Sequence, residues 1–171
     1  NGASESDIRK SIQANAKLFE MVVQSNDNQK LKADLTNQIN EIIKNDNTTE
    51  IPNGMTKDQY TALQVNQISS PWMEYFMKYN PVTALEKVKC PVLAVNGEKD
   101  LQVPPKENLT AIKNALTKGG NKNVTIIEFP NLNHLFQECQ TGSPNEYATI
   151  EQTFSPTALT EITNWIRKQT M

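Results

Sequence analysis

Four apolar residues in unbroken succession, Val92-Leu93-Ala94-Val95, stand between Cys90-Pro91 and Asn96-Gly97. A strand with one wet face alternates apolar and polar side chains, so a continuous run bounded by turn residues predicts a strand buried on both faces of a parallel sheet. Pro104-Pro105 then opens a helix carrying Leu109, Ile112 and Leu116, stopped by Gly119-Gly120. Val124-Thr125-Ile126-Ile127-Glu128-Phe129 reads as a second strand ending at Pro130. Residues 91–129 thus spell a β-α-β unit, with the right-handed crossover such units adopt. After a polar loop, Ser155-Pro156 caps a last helix bearing Leu159, Ile162, Trp165 and Ile166. The class is α/β.

Ahead of Cys90 the pattern is purely helical. Ser4 or Ser6 caps a helix whose apolar positions are Ile8, Ile12, Ala16, Phe19 and Val23. Ser25-Asn26-Asp27-Asn28 breaks the chain before a second helix with Leu31, Leu35, Ile39, Ile42 and Ile43 on one stripe, stopping at Asn45-Asp46-Asn47. Thr48–Gly54 reads as a turn-rich connector, and Thr56-Lys57-Asp58-Gln59 has capping-box form for a third helix. Pro71 opens a short helix holding Trp72, Tyr75, Phe76 and Tyr79, and Val82, Leu85 and Val88 share one side of a further turn or two. Apolar residues at helical spacing are usually core, so the aromatic group is expected to pack between helix and sheet, with a pocket wall as the other reading.

Composition closes off several functions. With 17 Lys+Arg against 19 Asp+Glu the formal charge is −2, without the basic excess of a nucleic-acid binder. No run approaches the roughly 18 apolar residues of a membrane-spanning helix, so no membrane partner is expected. A single histidine excludes a multi-histidine metal site within the chain, and Cys90 and Cys139 have no metal-ligand spacing, so neither metal nor cofactor is expected. The chain opens on Asn1-Gly2-Ala3 without an initiator Met or a signal-peptide pattern, and reads as an excised piece. Nothing in it assigns a compartment.

In an open parallel sheet, functional residues lie just past the carboxyl ends of strands. Asp100 holds that place after the first strand, in Gly97-Glu98-Lys99-Asp100, and His134 after the second, in Asn131-Leu132-Asn133-His134. Neighbouring strands are about 4.8 Å apart, so loops leaving one edge can bring the two side chains together. An Asp accepting from imidazole Nδ1–H fixes the tautomer and stabilises the imidazolium formed during proton abstraction. Taken singly, an Asp beside a glycine is commonly turn chemistry and a loop histidine commonly solvated surface.

The segment Cys90–Asp100 followed by Val103-Pro104-Pro105 resembles the seventh strand and acid loop of the α/β-hydrolase superfamily, and Asn131–Phe136 resembles its histidine loop. The order of Asp before His and the final amphipathic helix fit as well. Within the superfamily the likeness is to esterases and dienelactone-hydrolase-like proteins related to prolyl-oligopeptidase-type peptidases. The resemblance covers about residues 71–171, and the helices before it are similar in kind to a cap insertion. It implies residues 1–70 as a helical cap or lid. Residues 71–171 would be the C-terminal part of an α/β-hydrolase core, a β-α-β unit plus final helix. It further implies Asp100 and His134 as acid and base of a Ser-Asp-His triad acting on a small-molecule ester-type substrate.

The departure is the nucleophile. It belongs in a Gly-x-Ser-x-Gly elbow ahead of the acid, and no such sequence occurs in these 171 residues. Ser69 and Ser70 lack flanking glycines, and Ser143 sits in Thr141-Gly142-Ser143-Pro144. The elbow and the oxyanion donors are therefore expected upstream, the chain alone is expected to be inactive, and an apolar strand with an open edge is expected to self-associate or pair with a missing N-terminal half. Two other readings stand beside this one. One is a non-catalytic protein-binding module; the other is a nucleotide-binding α/β domain, ranked last because Gly97 alone makes no phosphate cradle.

Overall fold

In the computed structural model, which describes residues 4–45 and 49–170, the Ser4 hydroxyl accepts from the Asp7 N–H and starts helix α1, Glu5–Gln24. Asp27 Oδ1 accepts from the N–H groups of Gln29 and Lys30 at the start of α2, Asn28–Asn45. The expected stop at Asn45-Asp46-Asn47 and the first residue of the connector fall partly outside the described residues. Thr56 and Gln59 form the capping box of α3, Lys57–Ile68, and Ser70 with Pro71 opens α4, Pro71–Lys78.

These four helices make up the first of two units, Asn1–Tyr79. Its core is Leu18 and Val22 of α1, Leu31, Leu35 and Ile39 of α2, and Val65 of α3. Two sequence expectations change here. The α1 stripe Ile8, Ile12, Phe19 and Val23 is exposed, and the buried line through Leu18 and Val22 is rotated from it by one residue step, about 100°. Both lines have helical spacing, and the face α2 and α4 pack against decides which is buried. The aromatic residues of α4 are not core: Trp72, Tyr75 and Phe76 are each more than 60% exposed, and Trp72 stacks on Phe76 at 5.2 Å. Met77 is the α4 side chain that packs against the core. Although the sequence groups α4 with the second part of the chain, its contacts are with α1 and α3, and the unit boundary lies after Tyr79.

The second unit, Asn80–Met171, contains a single helical turn α5, Val82–Leu85, strand β1, Val92–Gly97, helix α6, Pro105–Lys118, and strand β2, Val124–Phe129. A 3-10 turn at Pro144–Thr149 and helix α7, Pro156–Thr170, complete it. The strands pair in parallel, from Val92 opposite Val124 to Gly97 opposite Phe129, so both end level at one edge. Helix α6 packs on both strands and buries Leu109, Ala115 and Leu116. A second cluster joins Phe129, Leu132 and Ala158, with Val95, Ile127, Phe136 and Phe154 against it. The expectation of a strand buried on both faces is met only by Ala94; Val92, Leu93 and Val95 are half-buried. Among the described residues β1 has one neighbour, so its other backbone edge is unpaired and its side chains lack the cover a further strand brings.

Candidate active site

Because the two strands end level, the loops that leave them run side by side. Past β1 the Glu98 N–H donates to Phe129 O and the Lys99 N–H to Leu132 O, lacing the acid loop to the segment leaving β2. A Cβ at Gly97 would overlap the carbonyl oxygens of Leu132 and Asn133, so this close approach requires glycine. From the other side the Asn131 N–H donates to Glu98 Oε2, and Asn131 turns in the left-handed region at φ 61°, which asparagine tolerates better than most residues.

The histidine loop is a clasp. Asn133 is fully buried; its Oδ1 accepts from the N–H groups of Leu135 and Gln137, and its Nδ2 donates to Gln137 Oε1. Gln137 Nε2 donates to Gln152 O, and the Ser155 N–H donates to Phe136 O, fastening the loop to the approach of α7. Phe136, at φ 57°, stacks on Phe154. His134 projects from this turn.

Asp100 and His134, the two residues singled out from the sequence, are together: Nδ1 of His134 is 2.9 Å from Asp100 Oδ2. The carboxylate is almost wholly buried, whereas the imidazole is about one-third exposed. Four hydrogen bonds converge on the carboxylate. Oδ1 accepts from the N–H groups of Gln102 (2.9 Å) and Val103 (2.8 Å), and Oδ2 from His134 Nδ1 and Asn96 Nδ2 (3.0 Å). Burial pushes the Asp100 carboxyl up, but the bonds from Val103, His134 and Gln102 outweigh it and hold the group below the usual carboxylate range. An ionised carboxylate opposite Nδ1 calls for a proton there, which leaves Nε2 with a free lone pair able to take a proton from a neighbouring hydroxyl.

A model of the prolyl oligopeptidase family matches residues 41–157, more than half of the chain and a span that includes both Asp100 and His134. The chain belongs to the prolyl oligopeptidase family. Prolyl oligopeptidase family members are serine hydrolases of α/β-hydrolase fold, and the mixed helical unit with its small parallel sheet is compatible with part of that fold. The family match begins inside α2, thirty residues before the motif-level likeness, and ends at the start of α7. Comparison with curated proteins and with solved structures gives no match.

Sequence reasoning missed the groups that hold the pair: Asn96, Asn133 and Gln137. Asn96 was legible only as the end of an apolar run; the signal was a short polar side chain on a strand otherwise built for burial. Gln102, assigned no role from sequence, donates its N–H to Asp100 and its Nε2 to the Tyr147 hydroxyl. Cys90 and Cys139 are both free thiols. Among the described residues no group of three or more His, Cys, Asp or Glu side chains is arranged to hold a metal ion.

Proposed function

We propose that Asp100 and His134 are the acid and base of a Ser-Asp-His triad in a serine hydrolase of carboxylic ester hydrolase type. The nucleophile is supplied by residues outside these 171. The observation that carries this reading is the 2.9 Å Nδ1–Oδ2 pair formed by a buried, ionised carboxylate and a partly exposed imidazole. In the complete site the serine hydroxyl attacks the acyl carbon while His134 Nε2 takes its proton, and Asp100 stabilises the imidazolium. Collapse of the tetrahedral intermediate passes that proton to the leaving alcohol and leaves an acyl-enzyme. Water, deprotonated by the same nitrogen, then releases the acid and frees the serine.

On this reading residues 1–70 are the helical cap or lid segment of the parent hydrolase. The unpaired edge of β1 joins a strand of a second copy or of the nucleophile-bearing half. A chain that stays monomeric by light scattering at every concentration would refute self-association. The alternative, a non-catalytic binding module, draws on the exposed aromatic face of α4 but gives no reason for the four-bonded carboxylate.

The deciding experiment uses the chain alone and together with its nucleophile. Alone it forms no fluorophosphonate adduct and turns over no aryl ester, since it lacks both the elbow serine and the oxyanion donors; an adduct on any serine overturns the assignment. In a protein that carries the elbow as well, His134→Ala lowers kcat by about 10⁴ or more. A His134→Ala enzyme with full turnover overturns it equally.

A further inference from the structure

Asn96 lies on β1, five per cent exposed, and every polar atom of its side chain is engaged. Nδ2 donates one hydrogen to Asp100 Oδ2 at 3.0 Å and the other to Val103 O at 3.1 Å, while Oδ1 accepts from Asn108 Nδ2 at 2.7 Å. The orientation of this amide is chemically forced. Reversed, it would set its oxygen against a carboxylate and a carbonyl and its nitrogen against a donor. Asn108 stands in the first turn of α6, so one chain of hydrogen bonds runs from that helix through the strand to the acid and on to the imidazole.

Oδ2 is the oxygen that matters, because it is shared: His134 Nδ1 and Asn96 Nδ2 are its two donors. The N–H groups of Gln102 and Val103 anchor Oδ1 but leave the carboxylate plane free to turn about the anchored oxygen. A second donor on Oδ2, rooted in the paired strand, fixes that plane and leaves the remaining lone pair aimed at Nδ1. A neutral imidazole in water favours the proton on Nε2; only a well-aimed acceptor at Nδ1 reverses this.

We propose that Asn96, held by Asn108, is the positioning residue of the acid–base pair: by fixing the Asp100 carboxylate it keeps neutral His134 in the Nδ1–H form, with Nε2 free to act as base. This rests on the reading of Asp100 and His134 as acid and base, and it predicts an effect at His134 from two residues whose side-chain hydrogen bonds go to Asp100, Val103 and each other.

His134 is the sole histidine, so its two ring nitrogens give the only imidazole signals in a long-range ¹H–¹⁵N spectrum of the full 171-residue chain. With the ring neutral, their shifts report the proportion of each tautomer. The unsubstituted chain is expected in the Nδ1–H form. Asn96→Ala raises the ratio of Nε2–H to Nδ1–H by about tenfold, through loosening of the charged His134–Asp100 hydrogen bond once the carboxylate can turn, and Asn108→Ala raises it less but in the same direction. Asn121→Ala is the structural control: it removes a buried amide bonded to Val88 O and Cys90 O in the same unit, and leaves the ratio unchanged. Asp100→Asn tests the underlying pair. If it shifts the ratio and Asn96→Ala and Asn108→Ala do not, the positioning role is wrong and the pair stands. If it leaves the ratio unchanged, the pair itself is refuted and the proposal with it. Should Asn96→Ala fail to fold, Asn108→Ala decides the matter: it keeps Asn96 in the strand but removes the hydrogen bond that holds its amide, so an unchanged ratio refutes the positioning role.

Discussion

Replacing Asn133 by alanine tests how the histidine loop is held. The side chain has no exposed surface and makes three hydrogen bonds, accepting at 2.9 and 3.0 Å from the N–H groups of Leu135 and Gln137 and donating at 3.0 Å to Gln137 Oε1. At about 1 kcal/mol net for each bond, Asn133→Ala costs about 3 kcal/mol. Gln137 is itself buried, so solvent cannot take over its N–H bond without opening the loop. The second unit can be followed by itself: Trp165, whose Nε1 donates to Thr125 Oγ1, becomes the only tryptophan once the exposed Trp72 is changed to Phe. In that background, urea unfolding read by tryptophan fluorescence gives the difference directly. Leu135→Ala, at an exposed neighbouring position that keeps its backbone N–H, is the control and should change stability by no more than about 0.5 kcal/mol. An Asn133→Ala loss of less than about 1 kcal/mol would refute the clasp as what shapes this loop.

Gly97→Ala forces a Cβ onto the Leu132 and Asn133 carbonyls and should separate the acid and histidine loops, seen as loss of the Nδ1–H imidazole signal with both strands retained. Asp100 binds its proton less readily folded than unfolded. Its stabilising contribution is therefore complete above the unfolded value of about 3.9 and is lost as pH falls through the lower folded value. Asp100→Asn should flatten the acid limb of stability against pH, and identical limbs in parent and variant would count against the hydrogen-bonded, ionised carboxylate. In the first unit, Leu35→Ala should cost about 2–5 kcal/mol by chemical unfolding followed by circular dichroism, whereas Ile12→Ala, on the exposed line of α1, should stay within about 0.5 kcal/mol. Equal losses would restore the stripe read from sequence as the buried one.

Helix starts were legible because capping is local. Ser4, and Thr56 with Gln59, carry their bonding partners within three residues, and with Pro71 each starts a helix. Burial was less legible. Ile8, Ile12, Phe19 and Val23 have as good a helical period as Leu18 and Val22, and spacing holds no information about which face meets α2. The α4 aromatics failed as core for the same reason. Asp100 and His134 could be named because level parallel strands send their loops out at one edge, a consequence of topology that motif order alone conveys.

The residue types and their order determined that a parallel β-α-β unit would form and that one acid and one imidazole would follow its two strands. Their meeting at 2.9 Å, and the asparagines that hold them there, were decided by tertiary structure. Strand formation and capping depend on neighbours a few residues away. A hydrogen bond between residues 34 positions apart depends instead on the register of two strands, on a glycine that lets their loops touch, and on buried amides whose partners lie on other elements.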